Sequence, residues 1–321
     1  MFVARVNDDP KPPHTKPRRR RRPKDFASQF RVRRFAGPQA HATRLSHLRV
    51  AHLTDLHVGR VTPMEAQLEA VRITNASSPD LVVITGDFVC HSQAHLDELT
   101  YVIAAFDAPV FAVLGNHDHW SGGNEVRWAL RRGGAEVLDN AWTTVTCNRQ
   151  QLQLVGLDDA YTGHADRRAA TKGLSQGVPT LGLSHIAEEA DGLWDAGVSL
   201  VLSGHTHAGQ VTVARLHEIA VGKIAGHKYV HGLYGRRAPQ PTEPKGAVYV
   251  GAGIGAAVVP LRVGERSKRE VAIFELGQMP GSFAEPHTEQ DALPGRKPSR
   301  EKKRRRAAAV ARKRRRRLRR D

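Results

Sequence analysis

Leu81-Val82-Val83-Ile84-Thr85 runs without a polar break, is rich in β-branched residues, and is closed by Gly86-Asp87. A run without alternation marks a strand buried on both faces, as in the middle of a parallel sheet. The same pattern recurs on either side. Strands predicted at 48–53 and 109–114 end in Asp55-Leu56-His57 and Gly115-Asn116-His117-Asp118, and those at 180–183 and 200–202 end in Ser184-His185 and Gly204-His205-Thr206-His207. Helical spacing of apolar residues falls between them, over 64–75, 95–106, 126–133 and 188–196. This alternation predicts an α/β fold with a largely parallel sheet. A strand pair over 143–155, turning near Asn148-Arg149, and late strands at 247–250 and 270–276 predict a second stacked sheet or antiparallel additions. Gly251-Ala252-Gly253-Ile254-Gly255 lacks both the spacing and the strand–helix setting of a dinucleotide loop.

Charge divides the chain into three. The formal net charge is +17, but residues 1–47 hold 13 Lys/Arg against 3 acids, and residues 296–321 hold 16 against 2. The body between them carries 20 basic and 27 acidic side chains. We therefore expect a Pro/Arg-rich disordered segment over 1–47, one domain over 48–278, and a linker with a basic disordered tail over 279–321. Such ends suit non-specific attachment to nucleic acid or an anionic membrane surface. No aromatic residues interleave the arginines, so base stacking by the tails is not expected. No apolar stretch approaches the ~18 residues of a membrane span, and the first residues show no secretory apolar core. The expectation is a cytoplasmic protein, peripheral to membrane or nucleic acid. Cys90 and Cys147, the only cysteines, have no zinc-ligand spacing and predict no disulfide framework.

Ligands in open α/β sheets collect at the carboxyl ends of strands. All five polar stretches sit there, bringing carboxylates, an amide oxygen and imidazoles to one face. That donor set suits a pair of divalent metals clamping a phosphoryl group, and mixed O/N ligands favour Mn²⁺, Fe or Zn²⁺ over Mg²⁺ or Ca²⁺. Asp87, after a buried strand and a glycine, is the natural shared ligand. A lone Asp at a strand end is usually a cap or turn residue, and a lone His is usually a bystander. Five such ends in order argue otherwise. His14, His41, His91, His95, His164 and His287 lack a strand-end partner and are read as bystanders.

Asp55-x-His57, Gly86-Asp87, Gly115-Asn116-His117-Asp118, His185 and Gly204-His205-Thr206-His207 resemble the signature of the calcineurin-like metallophosphoesterases. The extension through Ala208-Gly209-Gln210, with His227-Lys228-Tyr229-x-His231-Gly232-Leu233-Tyr234, is similar to the bacterial branch typified by the YkuE and YaeI phosphoesterases. Ile186-Ala187-Glu188 stands where that branch commonly has Asn-Pro-Asp. The resemblance implies a four-layer α/β/β/α sandwich with a dimetal site at strand carboxyl ends. It implies one metal on Asp55, His57, Asp87 and His207, and a second on Asp87, Asn116, His185 and His205. His117 would protonate the leaving oxygen, Asp118 would orient its imidazole, and the nucleophile would be a metal-bridging hydroxide. The implied reaction is hydrolysis of a phosphoester, in a phosphodiester or a nucleotide- or lipid-linked phosphate. The rival reading is a non-catalytic metal-binding scaffold tethered to nucleic acid or membrane by its basic tails. Trp120, Tyr229 and Tyr234 are candidates for a substrate wall.

Overall fold

Two six-stranded sheets stack face to face, with helices on both outer sides. The computed structural model describes residues 26–209, 226–238, 246–256, 262, 264–285 and 289–295. The first sheet and its helices comprise β1 (Phe30–Ala36), α1 (Gln39–Ala42), β2 (Arg49–Leu53), α2 (Met64–Ala76), β3 (Leu81–Thr85) and α3 (Leu96–Ala104). They continue through β4 (Val110–Val113), α4 (Asn116–Arg132) and β5 (Glu136–Val137). The second sheet is built from β6 (Ala141–Cys147), β7 (Gln150–Leu157), β8 (Thr180–Ser184), β9 (Leu200–Ser203), β10 (Gly232–Gly235) and β11 (Ala247–Val250). It carries α5 (Arg167–Thr171) and α6 (Ala190–Trp194), and β12 (Arg269–Glu275) returns to the first sheet. Strand order is β1-β12-β2-β3-β4-β5 in one sheet and β10-β11-β9-β8-β7-β6 in the other.

Both sheets are mixed. β2 to β5 are parallel, β12 runs antiparallel to β2, and β1 lies parallel to β12. β7, β8, β9 and β11 are parallel, flanked by antiparallel β6 and β10. The apolar runs follow from the layering, because successive residues must fill opposite cores. In β3, Val82 and Ile84 pack toward α2, α3 and α4, whereas Leu81 and Val83 pack between the sheets. In β9, Leu200 and Leu202 enter the inter-sheet core and Val201 faces the layer of α5 and α6. Each such fully buried side chain contributes about 1.5–3 kcal/mol. The result is the expected four-layer α/β/β/α sandwich.

Three sequence readings shift. α4 begins at Asn116, ten residues before the predicted start, because its first turns are polar and carry no apolar spacing. Gly122 (φ 119°) breaks its regularity midway. Residues 30–42, assigned to the basic segment, belong to the body: β1 forms a seven-residue ladder with β12, and Arg33 is buried against Glu270. The chain past 278 also returns to the body, where Glu285 and Glu289 pair with Arg237 and Gln290 bridges to Tyr234. The domain boundaries expected at 48 and 278 therefore move outward. The Arg18–Arg22 block and residues 300–320 lie outside the described residues. The hairpin turn is as read, with Asn148 (φ 50°) and Arg149 (φ 64°) in the left-handed conformation that a tight two-residue turn requires.

Candidate metal centre

The loops after β2, β3, β4, β8 and β9 meet at one end of the sandwich, and their backbones are strained there. Asp55 (φ 52°), His57 (φ 45°), Asp87 (φ 56°), His205 (φ 75°) and His207 (φ 50°) all adopt left-handed conformations. Non-glycine residues rarely do so, and such strain clusters at functional sites. The loops brace one another: Asp55 N donates to Gly86 O and His57 N to Asp87 O, each at 3.0 Å. Gly86 is glycine for a steric reason as well as its φ of 86°. A Cβ there would lie 2.7 Å from Gly115 N and 2.8 Å from His185 Nδ1.

Each central carboxylate has one oxygen tied down and one turned inward. Asp87 Oδ1 accepts the His117 N–H at 2.9 Å, at the N-terminus of α4. Asp87 Oδ2 faces His185 Nε2 at 3.3 Å, His57 Nε2 at 3.7 Å and His117 Nε2 at 4.0 Å. Asp55 Oδ2 accepts from Thr54 Oγ1 (2.8 Å) and His205 N (3.1 Å), leaving Oδ1 toward His207 Nε2 at 3.2 Å. His185 Nδ1 donates to the Thr85 carbonyl at 2.7 Å, which aims Nε2 at Asp87.

This arrangement forms two ligand groups that share one carboxylate: Asp55, His57, Asp87 and His207, and Asp87, His185 and His205. Asn116, the first residue of α4, is buried with Oδ1 taking no hydrogen bond, and both its neighbours contact Asp87. The donor chemistry fits divalent cations. His57 Nε2 and His207 Nε2 face each other at 3.1 Å, and the Nδ1 atoms of both rings are buried without hydrogen bonds. Burial lowers both imidazoles to about 3 despite the attraction of Asp87, so they present lone pairs rather than charge. Burial also pulls His185 down, but the charge and hydrogen bond of Asp87, with Asp55 and Asp159, outweigh it and hold the ring up at about 10. A cation between ring and carboxylate would take that proton's place.

Asp118 does not touch the His117 ring. Its Oδ2 accepts from Asp87 N and Gly115 N, both at 2.9 Å, and its Oδ1 from Phe88 N (2.8 Å) and Val89 N (3.2 Å). His117 Nδ1 is buried without a hydrogen bond. The expected orienting role is thus corrected: a carboxylate at the third position of a helix turns back to the orphan N–H groups around the helix start. Asp118 clamps the β3 and β4 loops instead.

The rim was only partly legible. Trp120 is 52% exposed, with its ring centroid 4.9 Å from that of His117, and Tyr161, 40% exposed, lies 5.5 Å from His205. His91, read as a bystander, lies edge-on to His117 at 4.3 Å and stacks on Trp120 at 5.7 Å. Tyr161 follows Asp158-Asp159 after β7, a sixth strand end whose two acids were an unused signal. Tyr229 and Tyr234 are buried; Tyr229 donates to Asp191 Oδ1 at 2.6 Å and Tyr234 Oη accepts Val230 N at 3.1 Å, so neither forms a wall here. Cys147 lies on β6, outside the two ligand groups.

The calcineurin-like phosphoesterase family model matches residues 48–209, and the chain belongs to that family. It is a metallophosphoesterase, a hydrolase of phosphoester bonds with a dimetal-capable site. Within the family it is similar to the bacterial branch of YkuE and YaeI. It is 29% identical to the metallophosphoesterase YkuE of Bacillus subtilis over 236 residues, 71% of this chain and 78% of the relative. It is likewise 29% identical to the phosphodiesterase YaeI of Escherichia coli over 209 residues, 63% of this chain and 76% of the relative. Among solved structures, a dimetal phosphatase from Danio rerio matches with a TM-score of 0.41 at 12% identity, covering 67% of this chain and 90% of that one. Among the described residues, no helix is long and apolar enough to cross a membrane.

Proposed function

We propose that the chain hydrolyses phosphodiesters, including nucleotide- or lipid-linked phosphate, with two divalent ions held by the side chains above. Asp55, His57, Asp87 and His207 would hold one ion, and Asp87, Asn116, His185 and His205 the other. The observation that carries this reading is the pair of ligand groups joined through Asp87. The diester preference is supported by the similarity to YaeI, named a phosphodiesterase. The O/N donor set favours Mn²⁺, Fe or Zn²⁺. When bound, such a pair would supply an activated water and neutralise charge on the phosphoryl oxygens.

The chain's own residues do the rest. His117 stands at the mouth with Nε2 4.0 Å from Asp87 Oδ2 and serves as proton donor to the leaving oxygen. Burial lowers its imidazole against the attraction of Asp87, with His91 adding to the lowering. A bound phosphate's negative charge would reverse this and load the proton where it is needed. Asp118 keeps the loops in register, and Trp120, His91 and Tyr161 flank the entrance. The enzyme is read as cytoplasmic, and its basic ends would hold it beside nucleic acid or an anionic membrane. The test is metal content together with Mn²⁺-dependent turnover of a chromogenic phosphodiester by the wild-type chain and by Asp87→Ala. Turnover should require metal and vanish in the variant. Full activity in Asp87→Ala would reject the assignment, and metal loading without turnover of any phosphoester would favour a binding scaffold.

A further inference from the structure

A third ligand group lies against the pair. His57, Cys90 and His117 each bring one ligand atom to within 4.8 Å of the other two. The backbone leading to the sulfur is fixed by the fold, and Cys90 Sγ itself lies 3.7 Å from His91 Nδ1. Phe88 and Val89, just before Cys90, donate their N–H groups to Asp118, and Val89 bridges to Val58 beside His57. The two imidazoles meet edge to face, with centroids 4.9 Å apart, and both Nδ1 atoms are buried without a hydrogen bond. A tetrahedral zinc with one thiolate and two imidazoles spaces its ligand atoms by roughly 3.3–3.6 Å. Side-chain adjustments of about an ångström therefore suffice to close this group around an ion.

Its chemistry differs from that of the two groups sharing Asp87, which offer only oxygen and nitrogen. A thiolate selects softer ions, so this corner discriminates zinc or cadmium from manganese. Its two imidazoles are already committed elsewhere, His57 to the first ligand group and His117 to the leaving oxygen.

We propose that His57, Cys90 and His117 form an inhibitory site for a soft divalent ion, zinc or cadmium. Capture there displaces the thiol proton to solvent, draws His57 away from the first ligand group and removes His117 from proton transfer. The inhibitory consequence rests on the functional reading above, whereas the metal site itself does not.

The test titrates Cd²⁺ into the full-length, Mn²⁺-loaded protein and follows thiolate-to-cadmium ultraviolet absorption together with turnover of the chromogenic diester. Absorption should rise to saturation as turnover falls at least tenfold. Cys90→Ser should lose the absorption and need at least tenfold more Cd²⁺ for half-inhibition, and Cys90→Ala should do the same. Cys147→Ser should behave as the wild type in both readouts. An absorption that survives Cys90→Ser, or that Cys147→Ser abolishes, overturns the site. Absorption that saturates without loss of turnover overturns the inhibition. A protein that keeps the Cys90-dependent absorption yet turns over no diester with any metal supports the site and fails the functional reading instead.

Discussion

The carboxylate of Asp118 accepts the backbone N–H of Asp87 at 2.9 Å, so one acid fixes the loop that presents the other. Asp118 also takes the N–H groups of Phe88, Val89 and Gly115, and so joins the end of β3 to the start of α4. Burial and the Asp87 charge push Asp118 up to about 8 against these amides, and a cation on Asp87 would cancel the second effect and leave the carboxylate ionised. Asp118→Asn leaves one oxygen for four donors and aims an amide at two of them. Hydrogen bonds to a charged group are worth about 1.5–3 kcal/mol each, so a loss on the order of 3 kcal/mol is expected. Weaker metal retention should accompany it. Denaturant midpoints and metal content after dialysis check this; a variant with full stability and full metal but slow chemistry would return Asp118 to an imidazole-orienting role.

His117→Asn should retain both metals but lose turnover by about 10²–10⁴-fold, the span of general acid catalysis. The loss should grow as the leaving group becomes more basic, because a good leaving group needs no proton. Rates across a series of aryl diesters measure this. A uniform loss across the series would place His117 in binding and not in proton transfer.

Trp120 and Tyr161 expose large aromatic faces beside a polar centre, with ring centroids 6.0 Å apart. If they contact the substrate outside the phosphate, Trp120→Ala should raise KM for an aryl or nucleoside diester several-fold while leaving its rate on a methyl-substituted one little changed. Equal effects on both substrates would argue that Trp120 only supports the His117 ring.

The stability contributed by two buried histidines outside the metal centre should fall as the medium is acidified below about pH 6.5. Burial lowers His41 to about 4 and His52 to about 3, against an ordinary value of 6.5. Between those values the unfolded chain binds protons that the folded chain refuses at these two rings, so their contribution is full above 6.5 and declines as pH drops toward 4. His41 Nε2 donates to Thr180 O at 3.1 Å, and His41→Gln keeps a donor for that carbonyl while removing its titration. The variant should flatten part of the slope in urea midpoints between pH 7 and 4. An unchanged slope would remove His41 from the account.

Truncation should separate the basic ends from the body. Deleting residues 1–25 and 296–321 should abolish salt-sensitive nucleic-acid binding and leave turnover intact. Deleting 1–47 should instead destabilise the protein, since it removes β1, its ladder with β12 and the buried Arg33–Glu270 pair. Thermal melts and filter binding at several salt concentrations distinguish the two. Nucleic-acid binding that survives the shorter deletion would place the polyanion surface on the body.

Read alone, the sequence determined the layered α/β body and the residues at its strand ends. Leu81–Thr85, short, β-branched and closed by a glycine, reads as a two-sided buried strand, and a carboxylate or imidazole after each parallel strand falls at the same end of the sheet. What it could not determine was direction and distance. The polar first turns of α4 hide a helix from any apolar period, and the arginines of β1 hide a strand inside an apparent tail. Only the packed structure turned Asp118 away from His117, because competing N–H donors at the helix start come from β3, distant in sequence. Only packing brought Cys90, His91 and Tyr161 to the mouth, for a side chain's neighbours across a sandwich are set by how the layers meet. Local pattern fixes which elements form, and long-range contacts decide what their side chains touch.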